Sequence, residues 1–278
     1  MKITSTMKKV AITGASGFIG REVVKQLENT KGVVTSVLDR NTHSLEDSES
    51  LKSFVEDKDV IIHLAGVNRG TNSELLQVNT LGMLSLLDAV LKYSPTARVV
   101  FASTFQVYLH QSLYGLSKKF AEELMQQYGL NHRISGTVLR LSNVYGLGGK
   151  PFYNSVVATF AHQIKQGESL NIKGDGSAER DYVYVDDVAD AFVKAALYDQ
   201  KNQTEVVDIC SGESTSLNQV LDIIRNVCDK KFEVIYNDAV QDKPWPTKDK
   251  NFKKAKELFG WEPKTSLKDG LFRVVAEQ

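Results

Sequence analysis

The sequence predicts an α/β protein: a doubly wound parallel sheet of the Rossmann-like type with a smaller, discontinuous α/β lobe. Short apolar runs alternate with segments that place apolar residues on one helical face, and a glycine-rich run directly follows the first apolar run. Beyond Asn143 the pattern changes to glycine-punctuated loops and amphipathic helices. Strands and helices that alternate at these lengths imply right-handed crossovers and an open parallel sheet.

The elements follow in order from these patterns. Apolar or β-branched runs predict strands at residues 9–13, 33–38, 59–64, 98–102 and 136–141, and helical spacing predicts helices at 18–27, 49–55, 73–93 and 113–128. Further on we expect helices at 154–165, 186–197 and 216–227, a strand at 182–185, and a strand at 206–210 that rejoins the main sheet. The tail carries a turn at Pro244, Trp245 and Pro246 and a basic helix at 251–259.

Composition excludes several classes of protein. Lys and Arg total 34, as do Asp and Glu, so the net charge is zero and no long-range field favours a nucleic acid or a membrane surface. No apolar stretch reaches the roughly 18 to 20 residues of a membrane span, and residues 1–7 are polar rather than a signal peptide. Cys210 and Cys228 lie in no metal-ligand pattern, so we expect no metal site. A cytoplasmic protein is the expectation.

Residues 14–20, GASGFIG, form a GxxGxxG run between the first predicted strand and helix. Such glycines allow a tight turn, close approach of the backbone to a pyrophosphate and close packing of helix on strand, while the helix N-terminus offers unpaired N–H donors. We therefore expect a dinucleotide to contact Gly14, Ser16, Gly17, Phe18, Ile19 and Gly20. The alternative is a glycine-rich turn without a ligand.

Asp39 lies 19 residues after Gly20, at the end of the second predicted strand. A carboxylate at this position accepts hydrogen bonds from the adenosine ribose and disfavours the 2′-phosphate of NADP, which favours NAD(H). Arg40 follows immediately, and its guanidinium would pair with that phosphate if Asp39 turned away. NADP(H) therefore stays open as the alternative.

Tyr114 and Lys118 are four residues apart, so they share one face of the helix predicted at 113–128. A free tyrosine has a pKa of about 10, and a nearby cation favours the phenolate and brings proton exchange with a sugar hydroxyl or carbonyl closer to neutral pH. Thr104, on the loop after the strand at 98–102, carries a hydroxyl that would bond the same reacting oxygen. A surface Tyr–Lys pair is the alternative interpretation.

At this point the sequence resembles the extended short-chain dehydrogenase/reductases that act on nucleotide sugars, over nearly the whole chain. The motifs are GASGFIG, then DVIIHLAG at 59–66, FASTFQVY at 101–108, YGLSK at 114–118, LRLSNVYG at 139–146, GDG with RDY and VDD at 174–187, and FGWEP at 259–263. The resemblance implies that Thr104, Tyr114 and Lys118 are the catalytic trio. It adds Leu64, Ala65 and Gly66 to the cofactor site.

The same resemblance implies the substrate side and the organisation of the chain. Asn143 would face the nucleotide sugar and Arg180 its diphosphate; a turn role for Asn143 and an ion pair of Arg180 with Asp181 or Asp186 are the alternatives. The dinucleotide-binding domain would comprise residues 1–144 plus 181–211, and the nucleotide-sugar lobe residues 145–180 plus 212–278. A homodimer through the helices at 73–93 and 113–128 is expected from the family.

Departures from the family pattern fall in two segments. Only 19 residues separate Asp39 from Asp59, too few for the usual strand and helix, so we expect the third strand to be shortened or absent and the adenine side to be open. Residues 109–113 replace a longer loop, which alters the mouth of the substrate site. Phe105 and Gln106 stand where 4,6-dehydratases carry acidic residues, which disfavours dehydration.

Two stretches, HLAGVNR at 63–69 and KPFYNSVVATF at 150–160, are similar to bacterial reductases of UDP-linked 4-keto sugars that serve polysaccharide biosynthesis. We therefore predict an NAD(P)-dependent oxidoreductase that reduces a 4-keto or 4-keto-6-deoxy sugar nucleotide, with Tyr114 as proton donor. A 4-epimerase that retains its NAD and a non-catalytic NAD(P)-sensing module are the alternatives. Neither the sugar nor the nucleotide base is encoded in a motif.

Overall fold

The computed structural model describes residues 7–109, 112–153, 155–199, 204–237 and 252–277. Elements of the first half, in chain order, are β1 (Lys8–Thr13), α1 (Phe18–Glu28), β2 (Val33–Val37), α2 (Lys52–Val55), β3 (Val60–His63), α3 (Asn72–Leu76), α4 (Gly82–Tyr93), β4 (Arg98–Thr104), α5 (Leu113–His132) and β5 (Gly136–Leu141). Elements of the second half are β6 (Asn143–Tyr145), α6 (Val156–Gln166), β7 (Leu170–Lys173), β8 (Glu179–Arg180), β9 (Tyr182–Tyr184), α7 (Val185–Leu197), β10 (Thr204–Ile209), β11 (Thr215–Ser216), α8 (Leu217–Val227), β12 (Val234–Asn237), α9 (Lys253–Phe259) and α10 (Leu267–Ala276).

Six strands form one parallel sheet in the order β10, β5, β4, β3, β1, β2. The predicted doubly wound sheet is therefore confirmed, and so is the return of the chain to it at β10. Residues 38–51 contain turns but no strand, which confirms the expected loss of the third strand. As a result β2 is the edge of the sheet, with the side chains of Val34 and Val37 half exposed.

Alternating side chains of the inner strands enter two different core clusters. Val10 and Ile12 of β1 pack with α1 and α7 on one face, whereas Ala11 packs with α4 and α5 on the other. The helix predicted at 49–55 is only the four-residue α2, preceded by turns, yet its apolar residues are buried as expected. Helices thus cover both faces of the sheet, as the continuous apolar runs require.

The helical segment Asn72–Tyr93 is interrupted in its middle. Residues Gln77–Leu81 form a π-helical turn between α3 and α4, where the sequence predicted one regular helix. Of the part of the chain that the structure describes, this is the one helix long and apolar enough to cross a membrane by length and composition. Met83, Leu86, Leu87 and Val90 are fully buried in the core against the sheet, so it is a core helix.

A third cluster packs α6, α8 and α10 around Tyr145, Phe160, Leu221 and Leu271, away from the main sheet. Three short pairs lie in this half: β6 with β9, β7 with β12, and β8 with β11. Strand β9 confirms the strand predicted at 182–185, and the helix predicted at 251–259 is α9, whereas the other strands of these pairs and α10 were not predicted. The turn at Pro244, Trp245 and Pro246 lies outside the described residues. The division of the chain into two domains stays a prediction.

Candidate active site

The carboxyl ends of β1, β3, β4 and β5 open into a cavity of about 620 Å³. This is the position where ligands bind in open α/β sheets, because the strand order reverses there. Its wall contains most of the predicted site residues: Gly14, Ser16, Gly17, Phe18, Ile19, Gly20, Arg40, Leu64, Ala65, Gly66, Thr104, Tyr114, Lys118 and Asn143. Asp39 and Arg180 do not line it.

The glycine turn has no room for side chains at two positions. Gly14 has φ +72°, and a Cβ atom there would lie 2.6 Å from the Ala65 nitrogen. A Cβ on Gly20 would lie 2.1 Å from the Gly14 carbonyl oxygen. Helix α1 begins after Gly17, and no side chain caps its N-terminus. The cap residue therefore does not bond the first backbone N–H groups of the helix. These residues fit the pyrophosphate of a nicotinamide dinucleotide.

Asp39 and Arg40 differ in where their side chains lie. The Asp39 Oδ1 atom accepts hydrogen bonds from the Asn41 backbone nitrogen at 2.9 Å and from its Nδ2 at 3.0 Å. This Asx turn holds the carboxylate within its own loop. Arg40, by contrast, lines the cavity.

His63, at the end of β3, is fully buried beside the cavity. Its Nδ1 shares a hydrogen bond of 2.8 Å with the Thr13 hydroxyl, which also accepts from the Ala65 nitrogen at 3.2 Å. Burial, together with the charge of Lys118, lowers the pKa of His63 to about 3. The ring is therefore neutral throughout the physiological range, which suits a strand-end residue that fixes the turn after β3.

Thr104 is the last residue of β4, not part of a loop after residue 102 as the sequence predicted. Its Oγ1 accepts from the Gln106 nitrogen at 3.2 Å and caps the short 3-10 helix Phe105–Tyr108. Burial raises the pKa of Tyr114 to about 12, and a side-chain hydrogen bond with Thr104 opposes that rise. Tyr114 therefore carries its proton at neutral pH.

The contacts of the Lys118 ammonium are with β4, and its predicted effect on Tyr114 stays a prediction. Its Nζ donates to the Ala102 carbonyl oxygen at 3.1 Å and lies 4.8 Å from the centre of the Phe101 ring. Burial lowers the pKa of Lys118 to about 8. In this arrangement burial, not the ammonium, dominates the pKa of Tyr114.

Three further residues that line the site or lie directly behind it were missed. Asn79, fully buried in the π-helical turn, binds both the nitrogen and the oxygen of Val67, at 2.9 and 2.8 Å, and donates to the Ser117 Oγ at 3.0 Å. Tyr153 lines the cavity, and its hydroxyl contributes to the raised pKa of Tyr114. Glu122 lies one helical turn beyond Lys118 and is fully buried. Tyr114, Lys118 and Glu122 recur at intervals of four residues, a signal that the sequence does carry.

The two predicted substrate residues are placed differently. The Nδ2 atom of Asn143 is buried at the cavity and has no hydrogen-bond partner among the described residues, so it is available to a ligand. Arg180 donates to the Glu179 carbonyl oxygen at 2.7 Å on a strand that pairs with β11. Asp181 accepts from Ser142, Ser211 and Gly212, and the role of Arg180 stays a prediction. Over the described ranges, no group of three or more metal-ligating side chains occurs.

Residues 10–210 match the model of the NAD dependent epimerase/dehydratase family. The chain belongs to this family. A putative UDP-glucose 4-epimerase of Methanocaldococcus jannaschii is 32% identical, over 96% of this chain and 97% of that protein. A UDP-2-acetamido-2,6-beta-L-arabino-hexul-4-ose reductase of Pseudomonas aeruginosa is 35% identical over 67% of this chain, which is 49% of that protein. The resemblance noted in the sequence is thereby confirmed.

Solved structures agree with the fold of this family. The UDP-glucose 4-epimerase of Thermotoga maritima with UDP-glucose superimposes with a TM-score of 0.82 at 30% identity, covering 96% of this chain and 97% of that chain. RMD from Pseudomonas aeruginosa, solved with NADPH, reaches 0.84 at 24% identity, covering 97% and 98%, and shows the fold alone. The protein is thus an NAD(P)-dependent enzyme of the epimerase/dehydratase family.

Proposed function

We propose that the protein reduces the 4-keto group of a nucleotide-linked sugar, of the 4-keto or 4-keto-6-deoxy class, with NAD(P)H. The observation that carries this proposal is the convergence of Thr104, Tyr114 and Lys118 on one cavity with the glycine turn. The names of the epimerase relative and of the reductase relative both refer to UDP-linked sugars. A UDP-sugar is accordingly the proposed substrate class.

The chain's own groups suit proton delivery. A bound nicotinamide cofactor would supply the hydride. Tyr114 holds its proton at neutral pH and would give it to the oxygen of the reduced carbonyl. The Thr104 hydroxyl would orient the same oxygen, and Lys118 would hold the ribose next to the nicotinamide. Asn143 and, as a proposal from the family motif, Arg180 would bind the nucleotide sugar.

The open adenine side favours a reductase over the alternative 4-epimerase. An epimerase returns its hydride to the same substrate and keeps its cofactor, whereas a reductase must release the oxidised cofactor in each cycle. Residues 38–51 form turns with no third strand beside β2, so β2 is the edge of the sheet, which supports the expectation of an open adenine side. The two stretches at 63–69 and 150–160 favour the same choice.

The test follows nicotinamide absorbance with purified protein, NADH or NADPH and a panel of UDP-linked 4-keto sugars, with product identity checked in parallel. Stoichiometric oxidation of the cofactor supports the reductase. Conversion of ordinary UDP-hexoses without net change in cofactor, together with co-purifying NAD, would instead identify an epimerase. Cofactor binding without either reaction would support the remaining alternative, a non-catalytic NAD(P)-sensing module.

The cofactor choice is part of this proposal. The sequence favours NAD(H) because of Asp39, but the carboxylate is engaged in its Asx turn while Arg40 lines the cavity. This is the arrangement in which a guanidinium would pair with a 2′-phosphate. We therefore propose NADP(H) as the better ligand, to be tested by measuring the dissociation constants of NADH and NADPH side by side.

A homodimer through α3, α4 and α5 is proposed as the assembly. Leu81, Leu116 and Phe120 are 53%, 42% and 47% exposed, and Leu116 and Phe120 lie one turn apart on α5. Apolar side chains grouped on neighbouring helices suit an isologous contact with a second copy. Light scattering is the measurement, and a monomer at micromolar concentration would reject this assembly.

A further inference from the structure

A fully buried carboxylate lies behind the predicted catalytic residues. Glu122 Oε1 accepts from the Ser103 hydroxyl at 2.5 Å and from Arg140 Nε at 2.9 Å, and Oε2 accepts from Arg140 Nη2 at 2.6 Å. Lys119 Nζ lies 3.6 Å from Oε2. The bidentate pair with Arg140 fixes the plane of the carboxylate.

These contacts join every element that carries a predicted catalytic group. Ser103 precedes Thr104 on β4, and Arg140 lies on β5, three residues before Asn143. Glu122 itself follows Lys118 by one turn of α5, so both project from the same face.

The network continues beyond Arg140 to the other end of the short 3-10 helix. Arg140 Nη1 donates to the Tyr108 hydroxyl at 2.8 Å, which donates to Asp208 of β10 at 2.7 Å. Tyr108 closes the 3-10 helix that Thr104 caps. The network therefore extends from Ser103, the neighbour of the capping residue Thr104, to Tyr108 at the other end of this helix.

We propose that Glu122 is a positioning residue of the enzyme, whose fixed carboxylate keeps the Lys118 side chain charged and ties α5 to β4 and β5. The proposal rests on the function proposed above, since it assigns to Lys118 a role that needs its ammonium. Glu122 touches neither the cavity nor the reacting atoms, and it acts through Lys118.

Lys118 needs such a partner because its surroundings disfavour a charge. His63 of β3, which is neutral, faces Lys118, and so do the Phe101 ring and the Ala102 carbonyl of β4. The uncharged Asn79 faces it from the π-helical turn. On α5 it shares a face with Tyr114, which is protonated at neutral pH, and with Glu122. Burial lowers the pKa of Lys118 to about 8, and Glu122 opposes that fall.

The proposal is tested by following the carbon-13 resonance of the Lys118 Cε in lysine-labelled protein from pH 6 to pH 11, assigned by its absence in K118M. In the wild-type protein we expect a midpoint near pH 8. Glu122→Gln keeps the size of the side chain and removes its charge, so the midpoint should fall by about one pH unit or more. Glu123→Gln, at an exposed neighbour that pairs with Lys119 at 2.7 Å, should leave it unchanged.

An unchanged midpoint in folded E122Q would overturn the proposal, as would a wild-type midpoint at or below pH 7. If E122Q does not fold because Arg140 is left unpaired, the double variant E122Q/R140Q is compared with R140Q, so that only the Glu122 charge differs, and the Lys118 midpoint should be lower in the double variant. The titration needs no substrate, so a failed reductase assay would reject the proposed reaction without touching this result.

A second readout separates positioning from mere structural support once a substrate is known. In E122Q the alkaline limit of kcat should move to lower pH together with the Lys118 midpoint, and activity should recover as the pH is lowered. A structural defect would reduce kcat equally at every pH, and that outcome would contradict the positioning role.

Discussion

The two walls of the cavity are built in opposite ways. The wall formed by β4 and α5 is buried and internally bonded: Thr104 and Lys118 of the wall, and Glu122 behind them, each have hydrogen-bond partners within the protein. A second wall includes part of the loop from Gly146 to Tyr153, which has glycines at φ +148° and +79° and a non-glycine residue, Phe152, at φ +59°. Phe152 and Tyr153 are 57% and 41% exposed.

Two contacts of Arg69 join the loop after β3 to this second wall. Arg69, in the loop after β3, donates to the Phe152 carbonyl oxygen at 2.9 Å and lies 5.7 Å from the centre of the Tyr153 ring. A left-handed conformation at a non-glycine residue costs free energy and is found at ligand-binding segments. We propose from this comparison that proton chemistry belongs to the first, rigid wall and substrate choice to the second, adjustable wall.

The largest effect is expected at Tyr114, on the rigid wall. Tyr114→Phe removes the proton donor without changing the shape of the cavity, so turnover should fall by about 10²- to 10⁴-fold. Cofactor affinity should stay within a factor of about two because the ring remains in place. Steady-state kinetics and a binding titration measure both, with Tyr198→Phe at the end of α7 as the control. Activity retained in Y114F would remove Tyr114 from its proposed role.

The next effect concerns the glycine turn. Gly20→Ala would put a Cβ atom 2.1 Å from the Gly14 carbonyl oxygen, so the turn must shift and cofactor affinity should fall by about 10- to 100-fold. Gly82→Ala in α4 is the matched control, since its Cβ would meet nothing closer than 3.6 Å at φ −60°. If both variants bind the cofactor equally, the turn does not hold the pyrophosphate.

A smaller and selective effect is expected at Arg40. Arg40→Gln removes a charge-assisted contact, so NADPH affinity should fall by about tenfold or more while NADH affinity changes little. Cofactor fluorescence titrations measure the ratio. An equal loss of affinity for both cofactors would mean that Arg40 does not bind the 2′-phosphate. NAD(H) would then be the preferred cofactor, as the sequence predicted.

The smallest effect sharpens the contrast between the walls. Tyr153→Ala removes an aromatic side chain from the adjustable wall, so KM for the nucleotide sugar should rise by about threefold to tenfold while kcat changes less. Tyr236→Ala, at a surface strand away from the cavity, is the control. A fall in kcat as large as that of Y114F would show that Tyr153 takes part in the chemistry itself.

The sequence predicts the main sheet well because strands buried on both faces must be apolar throughout. Residues 136–141 were predicted to the residue, whereas β6, β8 and β11 are two or three residues long and carry no periodicity to detect. Their pairing depends on long-range contacts such as that of Asn143 with Tyr182.

The residues of the candidate site also fall into those that the sequence predicts and those that it does not. Thr104, Tyr114 and Lys118 follow from motif and spacing, and the structure brings them to one cavity. Tyr153 and Arg69 could not be predicted because a loop conformation decides where they lie. The orientation of Asp39 could not be predicted either, since its partner is the side chain and backbone of Asn41, two residues further on.

The π-helical turn at Gln77–Leu81 has a consequence for how this chain tolerates insertion and deletion. A π turn accommodates one extra residue, and each residue of an α-helix advances the side chains by about 100°. Because the π turn absorbs the extra residue locally, removing one residue here would give a regular helix in which α3 and α4 stay in phase, with Met83 and Leu86 still on the sheet. The residue displaced would be one of the turn itself, where Asn79 contacts Val67 and Ser117. The extra residue therefore serves the placement of Asn79 rather than the packing of the helix, although nothing in the composition of the segment distinguishes it from an ordinary apolar helix.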